Sequence, residues 1–170
     1  MTTNNSPLLQ LKDPTLLKNA GYINGAWVEG EGTFAVTDPA TGLELAQVAN
    51  LTAAQTQQAI DAAEAALPAW RAMTHKQRSQ LLRKWFELIL AHQDDLARLM
   101  TAEQGKPLAE ATGEVVYGAS FVEWYAEEAK RTYGETVPSF APDRRAIVLR
   151  QPIGVCAAIT PWNFPLAMIT

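Results

Sequence analysis

The residue best suited to chemistry in this sequence is a side-chain amide held between two prolines. Pro161-Trp-Asn-Phe-Pro165 sets Asn163 beside the large ring of Trp162, directly after a run of small and apolar residues at 153–160. An amide N–H₂ can donate to a carbonyl oxygen that becomes negative during acyl chemistry. The same side chain can instead cap a helix beginning at Phe164 or Pro165, and spacing alone favours the cap.

The other reactive residue types read as structural. Cys156 sits inside the apolar run, and no neighbouring cation in the sequence would stabilise a thiolate, so a buried, inert thiol is expected. His75 falls in a capping segment and His92 near an apolar stripe, and two isolated histidines do not make a metal site. Glu103 and Lys106 read as support for a helix end. Glu123, Glu127 and Glu128 read as a solvated helix face. Arg144 and Arg145 read as charge on an exposed strand edge, where it discourages unwanted pairing.

The elements that would position Asn163 can be followed along the chain. Residues 1–20 read as a loosely ordered arm, with Pro7 and Pro14 discouraging regular structure. Short strands follow: Tyr22-Ile23 and Trp27-Val28 flank Asn24-Gly25, a hairpin turn pair that tolerates positive φ. Phe34 and Val36 mark another strand ended by Asp38-Pro39, and residues 43–48 resume after Thr41-Gly42.

Three helices come next. Thr52-Ala-Ala-Gln55 has the form of a capping box and opens an alanine-rich helix that should end near Pro68. Thr74-His-Lys-Gln77 repeats the pattern and opens a longer helix, ended at Gly105. Its stripe is Leu82, Phe86, Ile89, Gln93 and Leu96, broadened by Trp85, His92 and Met100. After Pro107 as a first-turn proline, Leu108, Ala111, Val115, Ala119, Val122 and Ala126 recur at helical spacing toward Tyr133-Gly134. Gly113 and Gly118 weaken that helix, which points to close packing on at least one face. Strand character returns at residues 146–150. The run 153–160 suits a central strand covered on both faces, with the loop 161–165 at its C-terminal end, where open α/β sheets bind ligands.

Bulk properties exclude several classes. With 48% hydrophobic and 19% charged residues a core can be buried, and 14 basic against 18 acidic residues give no electrostatic case for nucleic acid or an anionic membrane. Apolar runs are short, so nothing is expected to span a bilayer. One cysteine excludes an internal disulfide, and the polar, uncharged start lacks the features of a secretory signal, so a cytoplasmic location is expected.

Gly154-Val-Cys-Ala-Ala-Ile-Thr-Pro-Trp-Asn-Phe-Pro165 resembles the aldehyde dehydrogenase segment that ends the first nucleotide-binding strand. Ile23-Asn-Gly25 with Trp27, Asp38-Pro-Ala-Thr-Gly42 and Glu103-Gln-Gly-Lys-Pro107 fall in the order of that family. Gln104-Gly-Lys-Pro-Leu-Ala-Glu-Ala111, Phe121-Val-Glu-Trp-Tyr-Ala-Glu-Glu128, Gln151-Pro-Ile-Gly154 and Met168-Ile-Thr170 resemble the succinate-semialdehyde group, much of which glutarate-semialdehyde enzymes share.

The resemblance implies an α/β fold, incomplete here: short strands, three helices and the start of a Rossmann-like parallel sheet. It implies a division into an arm (1–20), the N-terminal part of a cofactor domain (21–135), part of a β oligomerisation extension (136–151), and the first nucleotide-binding strand with the oxyanion loop (152–170). By the same resemblance Asn163 stabilises an oxyanion. Ile159, Thr160, Pro161, Trp162 and Asn163 line the site of NADP or NAD, and no metal is implied. The complete enzyme would oxidise succinate semialdehyde to succinate as a homo-oligomer, with a cysteine nucleophile and a glutamate base in contexts that this sequence lacks. The chain alone is therefore expected to be inactive and partly unfolded or aggregated. The alternatives are a fragment of a glutarate-semialdehyde or other aldehyde dehydrogenase, or a non-catalytic fragment that pairs with complete subunits through the strand near 146–150.

Overall fold

The computed structural model describes residues 10–170. Three two-stranded antiparallel sheets and four α-helices are found among them. β1 (Gly21–Ile23) and β2 (Ala26–Val28) form the expected hairpin, and both turn residues take positive φ, 49° at Asn24 and 79° at Gly25. β3 (Gly32–Thr37) pairs with β4 (Glu44–Asn50). The buried Asp38 closes the connection between them, its carboxylate accepting from the Ala40 N–H and its carbonyl from the Gly42 N–H.

Both capping boxes form. Thr52 and Gln55 bond reciprocally at the start of α1 (Ala53–Ala72), and Thr74 and Gln77 do so at α2 (His75–Ala91). Two expectations need correction here. α1 runs through Pro68 to Ala72, because the helix has no buried residue and the carbonyl released by the missing N–H can turn to water. The expected second helix is two: α2 stops at His92, whose φ of −105° and ψ of 18° leave the helical region, and α3 (Gln93–Gln104) starts directly after it.

The polypeptide before β1 docks at this break. The buried Asp95 carboxylate accepts from the backbone N–H groups of Lys12 and Asp13, 2.9 Å each, so residues 12 and 13 of the expected loose arm are held in place. Residues 1–9 of that arm lie outside the described residues.

α4 (Leu108–Glu128) is the centre of the helical layer. Ala111, Val115, Ala119 and Ala126 are fully buried and Val122 nearly so, while Leu108 at the head of the stripe is exposed. Their partners are Ile89, Ala97 and Met100, with Leu82, Phe86, Leu96 and Leu166 around them. Trp85 lies outside this core at 48% exposure. Beyond Glu128 the helix tightens into a 3-10 turn, Ala129–Arg131, rather than continuing to Tyr133. Of the two α4 glycines, Gly118 is the one in close packing: a Cβ there would strike the Leu166 side chain, whereas Gly113 faces open space.

β5 (Glu135–Val137) and β6 (Ala146–Val148) form the third hairpin. The stretch after β6 departs from expectation. Residues 149–161 carry no regular secondary structure, and no parallel pair occurs among the described residues. Ile153 is 93% exposed, Ile159 is fully exposed, and Cys156 is exposed rather than buried. An apolar run becomes a central strand only when neighbours supply a ladder and cover both faces, and no described residue does either.

Candidate functional site

Asn163 lies at the edge of a cavity of about 580 Å³, lined among others by Gly113, Glu114, Tyr117, Trp162 and Phe164. Three elements meet there: the end of α3, the first turns of α4, and residues 161–170. Gly105 ends α3 with φ 81°, and a Cβ at this position would crowd Pro39 at 2.8 Å. Pro107 then opens α4 from the N-cap position. Lys106 is thereby fixed between two helix ends with its side chain reaching toward the loop.

That loop is held mainly through its backbone. Gln104 Nε2 donates to the Trp162 carbonyl at 2.8 Å, and Lys106 Nζ donates to the Asn163 carbonyl at 2.7 Å. Lys106 also pairs with the buried Glu114 carboxylate and lies 4.3 Å from the centre of the Phe164 ring. Glu114 Oε1 accepts from the Leu166 N–H at 3.0 Å and the Ala167 N–H at 3.2 Å.

These bonds bear on the capping reading of Asn163. A capping Asn163 would accept from the Leu166 N–H, since Pro165 has none to give. The Leu166 N–H goes to Glu114 instead, and among the described residues the Asn163 amide has no hydrogen-bond partner. Residues 162–169 form turns with one helical bond, from Met168 N–H to the Phe164 carbonyl at 3.2 Å, not the expected start of a helix. Asn163 is exposed and its amide is uncommitted.

Other sequence candidates fall elsewhere. Ile159, Thr160, Pro161 and Trp162 lead into the loop; Ile159 and Trp162 present apolar surface to solvent and Thr160 is half-buried. The Cys156 Sγ lies 3.8 Å from the Gly154 carbonyl. No cluster able to hold a metal occurs among the described residues, His75 and His92 included. Glu123, Glu127 and Glu128 pair with Arg83, Lys130 and Arg131 at 2.7–2.8 Å, as a solvated face would. Glu103 does not pair with Lys106. Partial desolvation pushes its carboxyl above the usual carboxylate range, although the residue as a whole is exposed.

Glu114 is the site residue that sequence reasoning missed. It stands between Ala111, Val115 and Gly118, on the face of α4 that is buried. A charge inside an apolar stripe was the available signal, because such a group must find a partner to be buried at all.

No helix among the described residues is long and apolar enough to cross a membrane. The chain is 61% identical to a glutarate-semialdehyde dehydrogenase of Pseudomonas putida KT2440, over 95% of its own length and 34% of the relative's. It is 58% identical to the succinate-semialdehyde dehydrogenase [NADP(+)] of Escherichia coli K12, again over 95% of this chain and 34% of the other. Among solved structures, an Escherichia coli NADP-dependent enzyme superposes with a TM-score of 0.91 at 57% identity, across 94% of this chain and 34% of that one. The chain thus spans about a third of the length of these relatives. The aldehyde dehydrogenase family model matches residues 27–170, and the chain belongs to that family.

Proposed function

We propose that this chain supplies the N-terminal third of an NADP- or NAD-dependent dehydrogenase of dicarboxylate semialdehydes, and that Asn163 is its oxyanion donor. The semialdehydes of succinate and glutarate are the substrate class, since both names occur among relatives of nearly equal identity. One observation carries the role of Asn163: its backbone is pinned and the turn's N–H groups are taken by Glu114, so its amide stays available at the edge of a cavity.

In the proposed reaction a cysteine thiolate from the remainder of the enzyme attacks the aldehyde carbon, and the carbonyl π pair moves onto oxygen. The Asn163 Nδ2–H donates to that oxygen as its charge grows. Once the thiohemiacetal carbon has given up its hydride, water attacks the resulting thioester, the amide donates again, and the cysteine thiolate is expelled as the carboxylate forms. A preorganised donor of this kind is worth about 3 kcal/mol of transition-state stabilisation, roughly 10²-fold in rate.

The exposed apolar side chains of Ile159 and Trp162, with the Thr160 hydroxyl between them, fit one edge of a dinucleotide site. With Pro161 and Asn163 they would line it, and when bound the nicotinamide would take up the hydride. Residues 21–135 would then belong to the cofactor domain and 152–170 would supply its first strand and the oxyanion loop. Residues 136–151, whose Ile147 and Leu149 side chains are exposed, would form part of an oligomerisation extension.

Asn163→Ala in the complete enzyme tests the reading. A fall in kcat of about 10²-fold, with KM for the semialdehyde little changed, is expected for a donor that acts only in the transition state. An unchanged kcat would refute the role.

A further inference from the structure

We infer that Lys106 and Gln104 are positioning residues for Asn163, acting with Glu114 as a clamp that fixes where the amide points. This rests on Asn163 being the oxyanion donor. Lys106 neutralises the buried Glu114, but the helix ends do not require either residue to reach across to the 161–165 loop: α3 already ends through the left-handed Gly105, and α4 already begins at Pro107. Yet Gln104 and Lys106 take the two consecutive carbonyls, of Trp162 and Asn163, that flank and belong to the donor residue.

The clamp has a second jaw. The Glu114 side chain is 1% exposed, receives Lys106 on one oxygen, and on the other receives the N–H groups of Leu166 and Ala167. Leu166 packs on the helical core and against Gly118. The segment around Asn163 is therefore bonded on both sides to one helix–helix junction, while its side chain is left unbonded. A loop of two prolines and two large aromatics could satisfy its backbone with water; holding it by a partly buried ammonium fixes the peptide planes and with them the direction of the Asn163 Cα–Cβ bond. Oxyanion donors need this, because misplacement by about 1 Å can cost on the order of 10²-fold in rate.

The test is a double-mutant cycle on the complete enzyme with Lys106→Met, Gln104→Leu and Asn163→Ala, reading kcat, KM and melting temperature. The clamp predicts that Lys106→Met lowers kcat by about 10-fold or more and Gln104→Leu by a few-fold, with KM within about 3-fold of the parent. In the Asn163→Ala background each should cost less than about 2-fold further, since the group being aimed is gone. If Lys106→Met does not fold, Gln104→Leu, which leaves the Lys106–Glu114 pair intact, decides alone. Unchanged kcat in the variants that fold, or losses that persist in full in the Asn163→Ala background, would overturn the clamp while leaving the oxyanion role standing. If Asn163→Ala itself keeps full kcat, the oxyanion reading fails, and this inference fails with it.

Discussion

Residues 153–160 and the inner face of α4 are both built from small and apolar side chains, Ala and Val prominent in each, yet they meet opposite environments. On α4, Ala111, Val115 and Ala119 are fully buried against α2 and α3, and even a carboxylate, Glu114, is enclosed and satisfied. In the other run Ile153, Val155 and Ile159 face solvent, and no ladder forms. The difference lies in where the partners are. A helix satisfies its own backbone and needs cover on one stripe only. A central strand needs neighbours for its backbone and cover on both faces. The site straddles this divide, since the loop bearing Asn163 follows the uncovered run and is bonded to the covered helix.

This contrast can be broken or sharpened by substitution. The largest effect on stability is expected at Glu114. Glu114→Ala leaves the partly buried Lys106 unpaired and two N–H groups unanswered, and should cost about 3–5 kcal/mol. Denaturant unfolding followed by circular dichroism measures it, and a loss below about 1 kcal/mol would mean that the loop is not tied to α4 as described. Gly118→Ala should cost about 1–3 kcal/mol in the same assay, because the new Cβ strikes Leu166. A stabilisation, the ordinary result of replacing a helical glycine, would show that the segment 166–170 does not press on α4. Removing the Thr52 cap of α1 with Thr52→Ala should cost about 1 kcal/mol.

The smallest effect is expected in the uncovered run. Ile153→Ser with Ile159→Ser should change the stability of the 170-residue chain by less than about 0.5 kcal/mol each. The pair should also reduce self-association of that chain, read by light scattering, since exposed apolar surface drives it. A large destabilisation would place these side chains in a core.

Local signals were the legible ones. Asn24-Gly25, the boxes at Thr52 and Thr74, the stop at Gly105 and the α4 stripe from Ala111 to Ala126 each depend on residues within a turn or two of one another, and the structure has each of them. The break at His92 has no sequence signal, because the apolar stripe runs on through it and both halves are good helix. Passage through Pro68 is not legible in the sequence, because a proline's cost depends on whether the freed carbonyl meets water, which composition does not encode. The Asn163 loop was legible through its motif, but its anchoring was not. Glu114 meets Leu166 and Ala167 across 52 and 53 residues, and Lys106 meets Asn163 across 57, separations at which a single sequence carries no pairing information. The character of its neighbours predicts a buried Cys156, and it is exposed because that character fixes a preference and not a partner.

The most direct measurement of the central claim is the position of the Asn163 amide in a crystal structure of the complete enzyme trapped with a substrate-derived adduct. The account predicts Nδ2 at about 2.7–3.1 Å from the former aldehyde oxygen, with the Lys106 and Gln104 bonds to the loop retained. An adduct oxygen served by other donors, with the Asn163 amide turned away or bonded to the backbone of residues 165–167, would contradict it.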